Sequence, residues 1–118
     1  MAEHSEGSVR DQQLAKAIER ELSMILASAA DNRLQLIEIV RVECRSRGHH
    51  FLIVFGPPHG TPEQVTEIEG PENVHKLLTK AHGYIRSELA SSLNLKNVPN
   101  LSFEPDPVRW AEWSDFTS

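Results

Sequence analysis

A single cysteine, Cys44, is the chain's whole thiol complement, so an intramolecular disulfide is excluded and a cysteine-built zinc site has too few ligands. In mid-strand it reads as a small core residue. Long hydrophobic runs are missing too. The longest, "FLIVF" at Phe51 to Phe55, is far shorter than the roughly 20 apolar residues that span a bilayer, so no membrane association is expected. The acidic start "MAEHSEGS" has no apolar stretch behind basic residues and resembles neither a secretory signal nor an Arg-rich transit peptide, which makes the cytoplasm the expected compartment. No Gly-rich phosphate loop, nucleophile motif or carboxylate pair flanked by apolar residues occurs, so neither an enzyme nor a cofactor is expected. Internal repeats and low-complexity tracts are absent.

What is present suits one compact domain: 118 residues, 39% of them hydrophobic, can bury one modest core. The formal charge of −5 argues against a nucleic-acid partner only as an average. Residues 33–50 hold four arginines against two glutamates, and residues 76–98 hold Lys76, Lys80, Arg86 and Lys96 against Glu88 alone. Phosphate responds to such local blocks rather than to the total.

"SVRD" at Ser8 to Asp11 has the form of a capping box, and Leu14, Ile18, Leu22, Ile25, Leu26 and Ala29 then recur at helical spacing. From Gln35 the period changes to two, placing Val40, Val42 and Cys44 on one face of a strand and Arg41, Glu43 and Arg45 on the other. After the turn-like "SRG", "HHFLIVF" reads as a second strand pairing back antiparallel. A Glu-rich loop over residues 61–72 follows, with a helical turn expected at Thr61 and Pro62. Pro71 opens a helix whose Val74, Leu77, Leu78, Ala81, Ile85 and Leu89 share a face, and "NLSFEP" supplies a last strand. The expectation is an α+β fold ordered helix, strand, strand, interrupted helix pair, strand, with a three-stranded sheet covered by helices on one face. Residues 1–7 are expected to be a flexible N-terminus, 8–106 the domain, and 107–118 a tail. In that tail Trp110, Trp113 and Phe116 form an aromatic stripe on a short helix, either packed back on the domain or offered as a docking or base-stacking surface.

Gly83 falls inside the interrupted helix, on a stripe with Lys76, Lys80 and Ser87 that faces away from the core. An interior glycine costs about 1 kcal/mol relative to alanine. Gly83 is therefore expected either to break the helix or to admit a ligand backbone, and alanine there is expected to destabilise a kink built on a shape only glycine accepts. Arg45, Arg47, Lys76, Lys80, Arg86 and Lys96 are candidate phosphate contacts around the kink and the hairpin turn, with His82 inside the kink as a further nucleic-acid or structural contact and an ordinary solvated face as the plain alternative. The histidines His49, His50, His59, His75 and His82 lack ligand-like intervals, so no metal site is expected.

Ala81-His82-Gly83 resembles the Ala-x-Gly kink of the ribosome-binding factor A family, and five neighbouring features resemble that family in the same order. "RDQQLAKAIERELSMIL" is similar to its first helix, Asp31 to Leu34 to its Asp-Pro-Arg-Leu, and Val42-Glu43 to its first strand; "GYIRSEL" and "VPNLSFEPD" are similar to its Gly-Phe-Ile-Arg and Val-Pro-Glu-Leu-x-Phe stretches. The likeness runs from Arg10 to Asp106. "RSRGHH" in place of an Asp-Leu pair, a longer Glu-rich loop and the tail "PVRWAEWSDF" depart from the pattern. The resemblance implies a KH-like (type II) fold and a non-enzymatic, monomeric factor that binds the immature small ribosomal subunit and its rRNA. With no Gly-x-x-Gly between the helices, binding by shape and phosphate is implied rather than base reading by a backbone clamp. The alternative is a protein-protein or dimerisation module using the open sheet face, for which Ile37 and Ile39 are the candidate apolar contacts.

Overall fold

The computed structural model describes residues 8–60, 64 and 70–117, with side chains up to Ser114. The expected flexible terminus, the turn at Thr61 and the side chain of Phe116 lie outside the described residues. Helix α1 (Val9–Ala27) starts where the capping box places it: Asp11 N–H donates to Ser8 Oγ at 3.2 Å, and Ser8 N–H donates to the Asp11 carboxylate at 3.1 Å. Ala15, Ile18, Leu22, Ile25 and Leu26 form its buried stripe. Strand β1 (Ile39–Arg45) and β2 (His50–Phe55) pair antiparallel, and β3 (Asn100–Pro105) pairs parallel with β2, so β2 is the central strand. Helices α2 (Pro71–Lys80), α3 (His82–Leu93) and α4 (Pro107–Thr117) complete an α+β, KH-like architecture.

Central position dictates the composition of β2. Phe51, Ile53 and Phe55 are fully buried on the helix-covered face, where they meet α1, α2 and α3 residues in one core that includes Cys44. The C-terminal helix joins this core. Asp106 caps α4 by accepting from Arg109 N–H at 3.0 Å, and Trp110 stands edge-on to Phe55 with ring centroids 6.2 Å apart. Trp113 packs against the core beside it, so the aromatic stripe is used inward as far as its side chains are described.

β1 departs from simple alternation. Its register shifts between Ile39 and Arg41, a bulge that leaves Val40 out of the pairing and turns Ile39 to the same face as Val42 and Cys44. Ile39 packs on the core, and Ile37, which precedes the strand, is buried in it. The expected apolar contacts of an open sheet face are therefore not on that face; the one-residue insertion reverses the side on which a period-two reading puts them.

What the open face carries is an ion network. Glu43, only 5% exposed, accepts from Arg41 Nε at 2.6 Å and from the Arg45 guanidinium, and Arg41 Nη1 also reaches Asp106 at 3.2 Å. In register, Glu43 lies opposite Leu52 and Arg41 opposite Val54, both of which are buried. Burial pushes the Glu43 carboxyl up, but the Arg41 bond and the Arg45 charge more than reverse this and hold it below the usual glutamate range. A carboxyl lowered in the folded state contributes stability above its unfolded pKa and loses it as pH falls through the lowered value. Glu43→Gln is expected to cost roughly 1–3 kcal/mol at neutral pH. Chemical denaturation across about pH 5 to 3 should show the loss of stability on acidification to be shallower in Glu43→Gln than in the parent.

Candidate nucleic-acid interface

The interruption of the second half is one residue long. Ala81 (φ −88°, ψ 7°) separates α2 from α3, yet its N–H still donates to Leu77 O at 3.0 Å and its carbonyl accepts from Ile85 N–H at 2.9 Å. Gly83 sits in the first turn of α3 with ordinary helical backbone and open space where a Cβ would stand. Its expected role as a shape only glycine can adopt is therefore corrected: the turn is made at Ala81, and Gly83 is a bare, exposed point just beyond it.

Around the break lies an apolar slot of about 320 Å³. The α1–β1 connection provides one wall with Ala29, Ala30 and Leu34, and Leu77, Ala81 and Tyr84 provide the other. Lys80 and the Asp31–Arg33 pair stand at its edge. Arg33 is fixed there by Asp31, which accepts from its backbone N–H at 2.9 Å and from its guanidinium at 3.1 and 2.9 Å. Those bonds from Arg33 hold the Asp31 carboxyl below the ordinary aspartate range, and the Lys80 charge adds to the effect. On the other side of α2, His75, Thr79 and His82 face Leu101, Ser102 and Phe103 across a second hollow, with His82 edge-on to Phe103 at 6.3 Å.

The seven candidate contacts do not converge on one patch. Lys80 is exposed at the break. Arg47 and Lys96 adjoin a different hollow at the hairpin end, where Gly48 and His49 meet Asn97 to Asn100 and Asn100 N–H donates to His49 O. Lys76 lies beside Pro105, at the opposite end of β3, about 17–20 Å of strand away. His82 is half-buried against Phe103. Arg45 and Arg86 are corrections to the sequence reading. The Arg45 guanidinium is tied to Glu43, and Arg86 is half-buried, donating to Val98 O at 2.8 Å while its Nε is enclosed. Arg86 pins the connection between α3 and β3 rather than facing solvent.

Sequence reasoning missed Arg33 and Tyr84. Arg33 is four residues from any helix periodicity and gains its place from the Asp31 turn, for which "DNR" was a visible signal. Tyr84, 42% exposed, is one of few large hydrophobic side chains left in solvent, which the helical spacing around Gly83 permits but does not single out. Among the described residues, no three His, Cys, Asp or Glu side chains cluster closely enough to hold a metal ion.

A family model described as ribosome-binding factor A matches residues 10–110. The chain belongs to the ribosome-binding factor A family. Curated family members from Paraburkholderia xenovorans and Azotobacter vinelandii are similar to it at 32% identity over 97 residues and 33% over 98, in both cases across 82% of this chain and 73% of the relative. The crystal structure of ribosome-binding factor A from Thermus thermophilus shares its fold with a TM-score of 0.61 at 19% identity, over 80% of this chain and 93% of that one. A homology model of Thermus thermophilus ribosome-binding factor A, fitted into the cryo-EM map of its 30S complex, matches with the same TM-score of 0.61 at 19% identity. The matched span includes Trp110, so the family likeness extends from α1 through the first turn of α4.

Two substitutions separate the roles assigned here. Gly83→Ala is expected to raise stability by roughly 0.5–1 kcal/mol through helix propensity and unfolded-state entropy, measured by urea denaturation. Arg86→Ala is expected to lower it by about 1–3 kcal/mol, because the Val98 carbonyl loses its donor.

Proposed function

We propose that this chain is a non-enzymatic assembly factor that binds the immature small ribosomal subunit and promotes late rRNA maturation, acting as a cytoplasmic monomer. Family membership supports a ribosomal partner, and the Thermus relative fitted in a 30S complex supports the small subunit. The observation that carries the reading is the break at Ala81. It brings Lys80, the bare backbone at Gly83 and the exposed Tyr84 to one outward corner. The first N–H groups of a helix have no intrahelical acceptor, so the start of α3 adds donors beside the Lys80 charge. Phosphate oxygens suit such a corner, and Arg47 and Lys96 offer a second contact at the hairpin end.

Dimerisation through the open sheet face has no such support. Leu52 and Val54 are buried there, and the charges on it are paired within the chain. A polar, internally satisfied surface suits solvent.

Sedimentation with purified bacterial small subunits tests the proposal. Replacing Arg47, Lys80 and Lys96 together with glutamate is expected to weaken binding at least tenfold, leave the circular dichroism spectrum unchanged, and flatten the fall of affinity with salt. Parent binding that is constant between about 50 and 200 mM salt would reject phosphate contacts.

A further inference from the structure

The slot at the helix break matches one ligand class by shape and charge. Its walls are apolar, from Ala29, Ala30, Leu34, Leu77 and Ala81, while Lys80 and Arg33 stand at its edge with one carboxylate, Asp31, which Arg33 already pairs, so the edge carries a net positive charge. Tyr84 closes one side and keeps 42% of its surface exposed, although helix α3 has a buried face where Ile85 and Leu89 go. An apolar cleft with an aromatic ring on one side and a cation at the mouth fits a nucleobase joined to a phosphate better than it fits an aliphatic side chain, which has no use for the charge. Gly83 adjoins Tyr84 and presents no side chain, and nothing lies within 4 Å of where its Cβ would be. A sugar-phosphate strand can therefore lie directly on the backbone next to the slot.

We propose that this slot binds one unstacked base of a single-stranded RNA segment, with Tyr84 as the stacking platform, Lys80 on the adjoining phosphate and Gly83 as the point where the strand crosses the helix. The proposal rests on the RNA-binding reading above and adds to it a defined nucleotide site. Tyr84 acts by stacking and is indifferent to salt; Lys80 acts by charge and sets part of the salt dependence. Ala30, exposed on the opposite wall, bounds the space a base would fill.

The test titrates the full chain with single-stranded hexaadenylate, followed by NMR of the one tyrosine ring, with small-subunit sedimentation in parallel. Expected are upfield shifts of the Tyr84 ring, a roughly fivefold to hundredfold loss of oligonucleotide affinity in Tyr84→Ala, and recovery in Tyr84→Phe. Ala30→Leu, which fills the slot from outside the core, is expected to lower affinity without lowering thermal stability. Gly83→Ala is expected to lower affinity while stabilising the fold. Lys80→Gln should reduce the slope of log affinity against log salt by about 0.7, and Tyr84→Ala should leave that slope unchanged. Tyr84 resonances that do not move, or a Tyr84→Ala variant that binds hexaadenylate as the parent does, would overturn the slot proposal. If the parent still sediments with small subunits in that case, the subunit reading stands without it. A parent that sediments with no small subunit rejects the reading itself.

Discussion

The geometry of this domain turns on a demand that one straight helix cannot meet. After the Glu-rich stretch the chain must lay a helix along β3, then cover α1 with the next helix. Ten helical residues in α2 and twelve in α3 divide this task, with the change from one helix to the other at Ala81. The change is made with little loss of backbone bonding, since Ala81 both donates to the end of α2 and accepts from the start of α3. Val74 and Leu78 before the break, and Ile85 and Leu89 after it, are all buried. The solvent side of the same corner is left with Lys80, Gly83 and Tyr84, so packing on the inside determines what is offered outside.

The two faces of the sheet divide the remaining work. The helix-covered face takes Phe51, Ile53 and Phe55 and anchors Trp110, which brings α4 onto the body of the domain. The other face is closed by charge rather than by a second layer. Buried Glu43 is stable there because two guanidiniums surround it, and removing either side of such an arrangement strands the other. This arrangement also explains why several arginines in a chain of net charge −5 are not free for phosphate. Arg41, Arg45 and Arg109 each neutralise an acid of their own chain.

Much of the architecture was legible in local chemistry. Ser8 and Asp11 announce α1, the change from helical to alternating period marks β1, the doubly apolar β2 implies a central strand, and Pro71 marks the start of α2. The legible features share one property: each depends on residues within a turn or two. The illegible ones depend on partners far along the chain. The bulge at Val40 is invisible because Val, Ile and Arg alternate plausibly with or without it, and it moves Ile39 to the other face. Arg86 looks like a surface cation until Val98 comes within 2.8 Å. Glu43 looks like a solvated acid until Arg41, Arg45 and burial are set together. Of the candidate contacts, Arg47, Lys76, Lys80 and Lys96 keep exposed positions, whereas Gly83 keeps its place at the surface but not the strained backbone expected of it.

The central claim is that the corner at Ala81, and not the sheet face, meets the ribosomal subunit. Backbone hydrogen exchange of the chain, free and bound to purified small subunits, tests it most directly. Slower exchange on binding over residues 80–86, together with the hairpin end at 46–49 and 95–99, is the result the account predicts. Slowing confined to 41–45 and 50–54, with residues 80–86 unchanged, would contradict it.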